Sequence, residues 1–311
     1  MTAETIDILI PHHNDVAGLA LSLRSIGEQT MKSVRVVIAD DGSTEANFRE
    51  VRNLADASLL NTRIIRSESN LGRPRTRNRL LDAVTGPFVA WLDAGDAWYP
   101  EKLELQLRAL RDLLASEPRG STWVTCNYDW RWIGHDASAY AQETDQDQQR
   151  AILQGRTLRA YLWTLLGPAE SFRAVGYFDE NLPRLQDVDY FMRFLQAGGV
   201  IHPAGTQRPL CVYNKSDSGR DAVQIRACGS YLLTKYRDTY SAYGAEFTNS
   251  CVFEMDLLAA RYAFNNRRWL VGLRYGASAL RARPRTLISR IAKRSGAWLC
   301  RRFGDRTLPR Q

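Results

Sequence analysis

Apolar residues fall in short runs over the first hundred positions, separated by segments with helical spacing. Residues 5–11, TIDILIP, read as a strand that a proline ends. Residues 18–29 place apolar side chains on one helical face, and VRVVIAD at 34–40 is a second strand, broken by Asp41-Gly42-Ser43. A helix over 46–60, a strand at 62–67, a helix over 74–84 and the strand FVAWLD at 88–93 complete a βαβαβαβ order. That alternation predicts an α/β domain whose mostly parallel sheet is covered on both faces, with ligands gathering at the carboxyl ends of the strands.

Further along, 101–116 predicts an amphipathic helix, with Leu103, Leu107, Leu110 and Leu114 on one side. Residues 122–133 suggest an aromatic-rich strand and turn, and the polar stretch 136–151 reads as a loop. Beyond about 222 the pattern turns helical, so two regions are expected, 1–221 and 222–311. At about 100° per residue, Leu287, Ile288, Ile291, Trp298 and Leu299 share one arc and Arg290, Lys293, Arg294 and Arg301 another, the pattern of a helix lying at a membrane interface. A helix docked on protein with a solvated basic face is the alternative.

Charge strengthens that reading. The chain carries a formal net charge of +8, and 281–310 is dense in arginine with Asp305 as its one acid. Such a tail suits an anionic surface; a membrane is preferred to nucleic acid because no base-reading motif accompanies the charge. No apolar run is long enough to span a bilayer. Five scattered cysteines without paired spacing read as reduced thiols. Together these predict a cytoplasmic protein, peripheral on the inner membrane surface.

Candidate chemistry lies at the predicted strand ends: His12-His13-Asn14, Asp40-Asp41-Gly42-Ser43, and Asp93 with Asp96. Each alone reads equally as a turn or helix cap. Three such loops at one sheet edge point to a ligand.

The segments ILIPHHND, SIGEQT, VVIADDGSTE, NLGRPRTRNRLLDAVTGPFVAWLDAGD and GYFDENLPRLQDVDYFMRF, in that order, resemble the successive motifs of family 2 glycosyltransferases over roughly residues 5–220. The resemblance implies a GT-A (Rossmann-like) fold and inverting transfer of a sugar from a nucleotide-diphosphate sugar to an acceptor hydroxyl. The acceptor would be a glycan or lipid-linked precursor of lipopolysaccharide, capsule or another surface polysaccharide. It implies a donor site of Pro11, His12, Asn14, Asp40, Asp41, Gly42, Asn70, Gly72, Arg77, Asp93 and Ala94, with Arg77 near the diphosphate. Asp187 would be the base that takes the acceptor proton, with Gln186 where glutamate is frequent; Asp189 and Arg193 read as a cap and an ion pair.

The family's acid cluster usually also holds a divalent cation, Mg²⁺ or Mn²⁺. Here Asp93 and Asp96 remain but Gly95 replaces the usual ligand, so weaker binding is expected. A histidine common after 211–221 is missing too, and Lys215, Ser216 and Arg220 stand in that region, which suggests that cationic side chains share the charge stabilisation. Among Trp98, Tyr99, Trp123, Tyr128, Trp130 and Trp132, one or two are expected to face the acceptor. Two other readings stay open: a domain that binds nucleotide-sugar or glycan without turnover, and a sugar nucleotidyltransferase, whose Gly-rich basic loop PHHNDVAG lacks.

Overall fold

The structure, a computed structural model, describes residues 5–116, 121–132, 137–215, 221–284 and 286. The chain divides into two compact units, Met1–Ser216 and Asp217–Gln311.

The first unit opens with β1 (Ile6–His12), α1 (Val16–Gly27), β2 (Val34–Asp41), α2 (Glu45–Ala57), β3 (Thr62–Ser67), α3 (Arg73–Asp82) and β4 (Phe88–Trp91). Then come β5 (Ala97–Trp98), α4 (Lys102–Ser116), β6 (Thr122–Thr125), β7 (Tyr128–Trp132), β8 (Ala137–Tyr140), α5 (Gln148–Gln154), β9 (Leu166–Pro168), α6 (Ala169–Val175), α7 (Gln186–Gln196), β10 (Val200–Pro203) and β11 (Cys211–Lys215). One seven-stranded sheet has the order β10-β6-β9-β4-β1-β2-β3. Its neighbours pair in parallel except for β9, which runs antiparallel to β4 and β6. The expected mixed, mostly parallel sheet flanked by helices is therefore the observed one.

Burial explains the order. Ile6, Ile8, Leu9, Ile10, Val36, Val37 and Ile38 are fully buried, as strands covered on both faces require. Leu103, Leu107 and Leu110 of α4 complete that core, as the apolar stripe predicted.

A second, four-stranded sheet, β5-β11-β7-β8, joins sequence-distant pieces. Its β8 lies inside the stretch expected to be a loop: Tyr140 pairs with Tyr128 and stacks on it at 5.7 Å. Helix α5 also begins there, capped by Asp147, which accepts from the Arg150 N–H at 3.0 Å. Polar composition hid both, because β8 is an exposed strand and α5 buries only Ala151, Ile152 and Leu153.

The second unit contains α8 (Ala222–Lys235), α9 (Arg237–Ala242), α10 (Ala245–Asn265) and α11 (Trp269–Ala282), the helical extension expected. Among the described residues no helix is long and apolar enough to cross a membrane. The predicted interfacial helix at 285–303 lies outside the described residues, except for residue 286.

Candidate active site

Parallel register brings the strand ends together: His12 of β1 stands opposite Asp40 of β2, and Asp41 opposite Ser67 of β3. The loops that follow are tied to one another by side chains. His12 Nε2 accepts from the Asp15 N–H at 3.2 Å, so its proton sits on Nδ1 and goes to Asp40 Oδ2 at 3.0 Å. Asp40 Oδ1 accepts from the Ser43 N–H. Burial pushes the Asp40 carboxyl up, but the bonds from His12 and Ser43 outweigh it and hold the carboxyl below its usual range.

Asn14, at φ 54°, donates its N–H to Ser43 Oγ at 2.8 Å, and its Oδ1 accepts from the Thr44 N–H and Asn47 Nδ2. Asp41 accepts the N–H groups of Leu71 and Gly72 at 2.8 and 3.0 Å. Gly42, at φ +70°, lets the second loop touch the third, for a Cβ there would lie 2.3 Å from the Ser69 carbonyl carbon. Asp40, Asp41 and His12 were expected to touch the donor; all three are buried, and their visible work is to fasten these loops. Pro11, Gly42, Gly72, Asp93 and Ala94 are half-buried, and Asn14 and Asn70 are exposed.

Arg77 lies at the centre. Its guanidinium, 2% exposed, donates from Nη1 to Asp187 Oδ1 at 3.0 Å and from Nη2 to both Asp93 oxygens at 3.1 and 3.3 Å. Burial opposes its charge, but Asp187 and Asp93 outweigh that penalty and raise its pKa. With the Gln186 amide oriented to satisfy both ends, its oxygen accepts from the same Nη1 at 2.9 Å and its nitrogen donates to Leu182 O. Asn78, the other half of the Arg-Asn pair, exchanges hydrogen bonds with the Phe178 backbone, anchoring the segment ahead of α7. Arg77, expected beside a diphosphate, holds two carboxylates through its terminal nitrogens, while its buried Nε has no protein partner. Arg75 pairs with Glu180 at 2.7 Å, and Asp189 with Arg193 at 3.0 Å, the ion pair their spacing suggested.

The turn at 92–96 is held from behind by two residues that sequence reading missed. Ser22 donates to Asp96 O and accepts from the Gly95 N–H, and Asn214 of β11 donates its N–H to Asp96 Oδ1 and its Nδ2 to Gly95 O. A serine within the apolar face of α1 was the available signal for the first; nothing in sequence pointed to the second.

This donor set does not fit a resident divalent cation. Residue 95 has no side chain, Asp96 is buried and accepts a backbone N–H, and Asp93 is committed to Arg77. Among the described residues, no three of His, Cys, Asp or Glu converge as ligands. The expectation that Asp93 and Asp96 share an ion thus meets two carboxylates that already hold other donors. Ser216, Arg220 and the Lys215 side chain, proposed to share the charge, lie outside the described residues. Trp98, Trp123 and Tyr128 belong to the core, while Tyr99 and Trp130 are half-buried.

Residues 7–153, from β1 into α5 and including the loops after β1, β2, β3 and β4, match the family described as Glycosyl transferase family 2. This stretch carries the family's sequence pattern. Among curated members it is similar to the amylovoran biosynthesis glycosyltransferase AmsB of Erwinia amylovora, 33% identical over 110 residues, 35% of this chain and 36% of that protein. It is also similar to WfgD of Escherichia coli, a UDP-Glc:alpha-D-GlcNAc-diphosphoundecaprenol beta-1,3-glucosyltransferase, 28% identical over 102 residues, 33% of this chain and 39% of that one. The chain thus spans well under half the length of these two relatives. Residues 1–349 of S. aureus TarS, solved with UDP-GlcNAc, share the fold at TM-score 0.58 and 16% identity, over 83% of this chain and 82% of that one. The fold is GT-A, as expected.

Proposed function

We propose that this chain is an inverting glycosyltransferase that moves a sugar from a nucleotide-diphosphate sugar to an acceptor hydroxyl in surface-polysaccharide synthesis, on a glycan or lipid-linked acceptor at the cytoplasmic face of the membrane. One observation carries the reading: a single buried guanidinium fixes Asp187, at the start of α7, and Asp93, in the turn after β4, 3.0 and 3.1 Å from its two terminal nitrogens. Inversion needs one base on the face of the sugar opposite the leaving diphosphate.

Arg77 holds Asp187 by Oδ1 alone; Oδ2 has no protein hydrogen bond among the described residues and is free to accept the acceptor O–H. As Asp187 takes that proton, the acceptor oxygen bonds to the anomeric carbon and the bond to the diphosphate oxygen breaks. Asp93, about one-third exposed, accepts hydrogen bonds from donor hydroxyls on the other side of Arg77. Names of relatives support the substrate class: WfgD uses UDP-Glc and a diphosphoundecaprenol-linked sugar, and TarS was solved with UDP-GlcNAc.

Asp187→Asn keeps size and one hydrogen bond but cannot take a proton. Transfer should fall by roughly 10²–10⁴-fold while nucleotide-sugar binding, read by calorimetry, stays within about twofold. Wild-type turnover in this variant would remove Asp187 as the base.

A further inference from the structure

Helix α11 contains no acidic residue and packs on α10 through small side chains. Gly272 and Ala279 are buried, and a Cβ at 272 would meet the Phe264 ring at 2.5 Å. At about 100° per residue, Trp269, Leu280, Leu273, Ala277 and Leu270 share one arc about 100° wide; Trp269, at its edge, meets the Phe264 ring of that seam at 5.7 Å, and the others turn away from it. These side chains face solvent: Leu270 is 84% exposed, Leu273 62% and Trp269 61%. Arg274 and Arg281 lie just beyond the arc's edge.

Next to Arg274 opens a cavity of about 360 Å³. Its floor is Asp256 of α10, fully buried; its walls include Arg226 and Ser230 of α8 and Arg274, Tyr275 and Ser278 of α11. Asp256 accepts from Arg226 Nε and from Ser278 Oγ at 2.7 Å, and Arg226 Nη1 donates to Ser230 Oγ. One acid therefore balances Arg226, while Arg274 has no carboxylate partner among the described residues. The cavity is left with a net positive charge.

We propose that α11 lies on an anionic phospholipid bilayer, with the Trp269–Leu270–Leu273–Leu280 arc entering the acyl boundary and a headgroup phosphate received between Arg274 and Arg226. An apolar arc bordered by arginine and free of acids is complementary to anionic lipid. A second copy of the chain laid on the same face would bring Arg274 and Arg281 against their own counterparts. This deepens the membrane side of the proposed function, yet it rests on α8, α10 and α11 and not on the transfer chemistry.

The test is flotation of the full chain with vesicles of phosphatidylcholine alone or mixed with phosphatidylglycerol, which involves no turnover. Tighter binding to the anionic vesicles by roughly tenfold or more is expected, with roughly fivefold lost in Arg274→Gln and roughly tenfold in Leu270→Ser/Leu273→Ser. Both variants change exposed positions, and unchanged helical circular dichroism shows that they fold. Wild-type binding by the double serine variant would place attachment elsewhere in the chain and overturn the proposal. So would a concentration-dependent dimer that this variant abolishes. Thermal protection by inorganic phosphate, lost in Arg274→Gln and unaccompanied by vesicle binding, would assign the cavity to a soluble anion and likewise overturn it.

Discussion

Arg77 settles more of the site than any other side chain, because two carboxylates from distant parts of the chain share one guanidinium in a place that water barely reaches. Replacing it by methionine preserves length and removes the charge, leaving Asp93 and Asp187 without a counter-ion. The carboxylates are about one-third and one-quarter exposed, so the cost should sit at the low end for a broken buried pair, about 3 kcal/mol. Chemical denaturation would measure it; a change under about 1 kcal/mol would mean that solvent already screens the pair. Gly95 works in the opposite manner, by what it lacks. Its φ of +98° is one that an aspartate adopts only with strain, and Asp15 Oδ2 lies 3.5 Å from where its Cβ would be. The loop is thus shaped around glycine, not merely missing an acid.

At the scale of elements, α4 buries two polar residues beside its predicted apolar stripe, Lys102 and Gln106. Lys102 is fully buried; its ammonium donates to Gln106 Oε1 at 2.7 Å and sits 4.0 Å from the Trp98 ring centre. Burial pulls its pKa down, only partly opposed by the nearby Cys211 and Cys126 thiols. The folded pKa lies below the unfolded one, so the penalty is complete at low pH and is relieved as pH rises through the folded value towards about 10.4. Lys102→Met should therefore flatten the rise of stability with pH. At pH 7 the net change should stay within about 1 kcal/mol, since relief of the buried charge offsets the orphaned Gln106 oxygen. Urea melts at two pH values decide this: a wild-type slope in the variant would contradict it.

For the molecule as a whole, the loops proposed to take the donor all belong to the first unit, and a nucleotide-sugar that binds the native loops alone must stabilise them by mass action. At one hundred times its Kd the gain is about 2.7 kcal/mol, visible as a higher melting temperature when a panel of nucleotide-sugars is screened. A chelator should leave most of that shift, because Asp93 and Asp96 hold Arg77 and Asn214 and not an open oxygen cage. Complete loss with chelator and recovery with Mn²⁺ would show an ion bridging the phosphates.

Local pattern alone determined the βαβ order, the parallel sheet, the amphipathic α4 and the places where polar loops follow strands. Strand and helix periods are properties of neighbouring residues, and carboxyl-end loops follow from the topology. The ordered motifs also located Asp187 and Arg77, 110 positions apart. Only the tertiary structure decided what these side chains hold. That Arg77 takes Asp93 and Asp187, that Asp40 closes on His12, and that Asn214 braces Gly95 all depend on which distant segments the fold brings within hydrogen-bond reach. Charge and residue type name a side chain's capacity; burial and the partner supplied across the fold select its use.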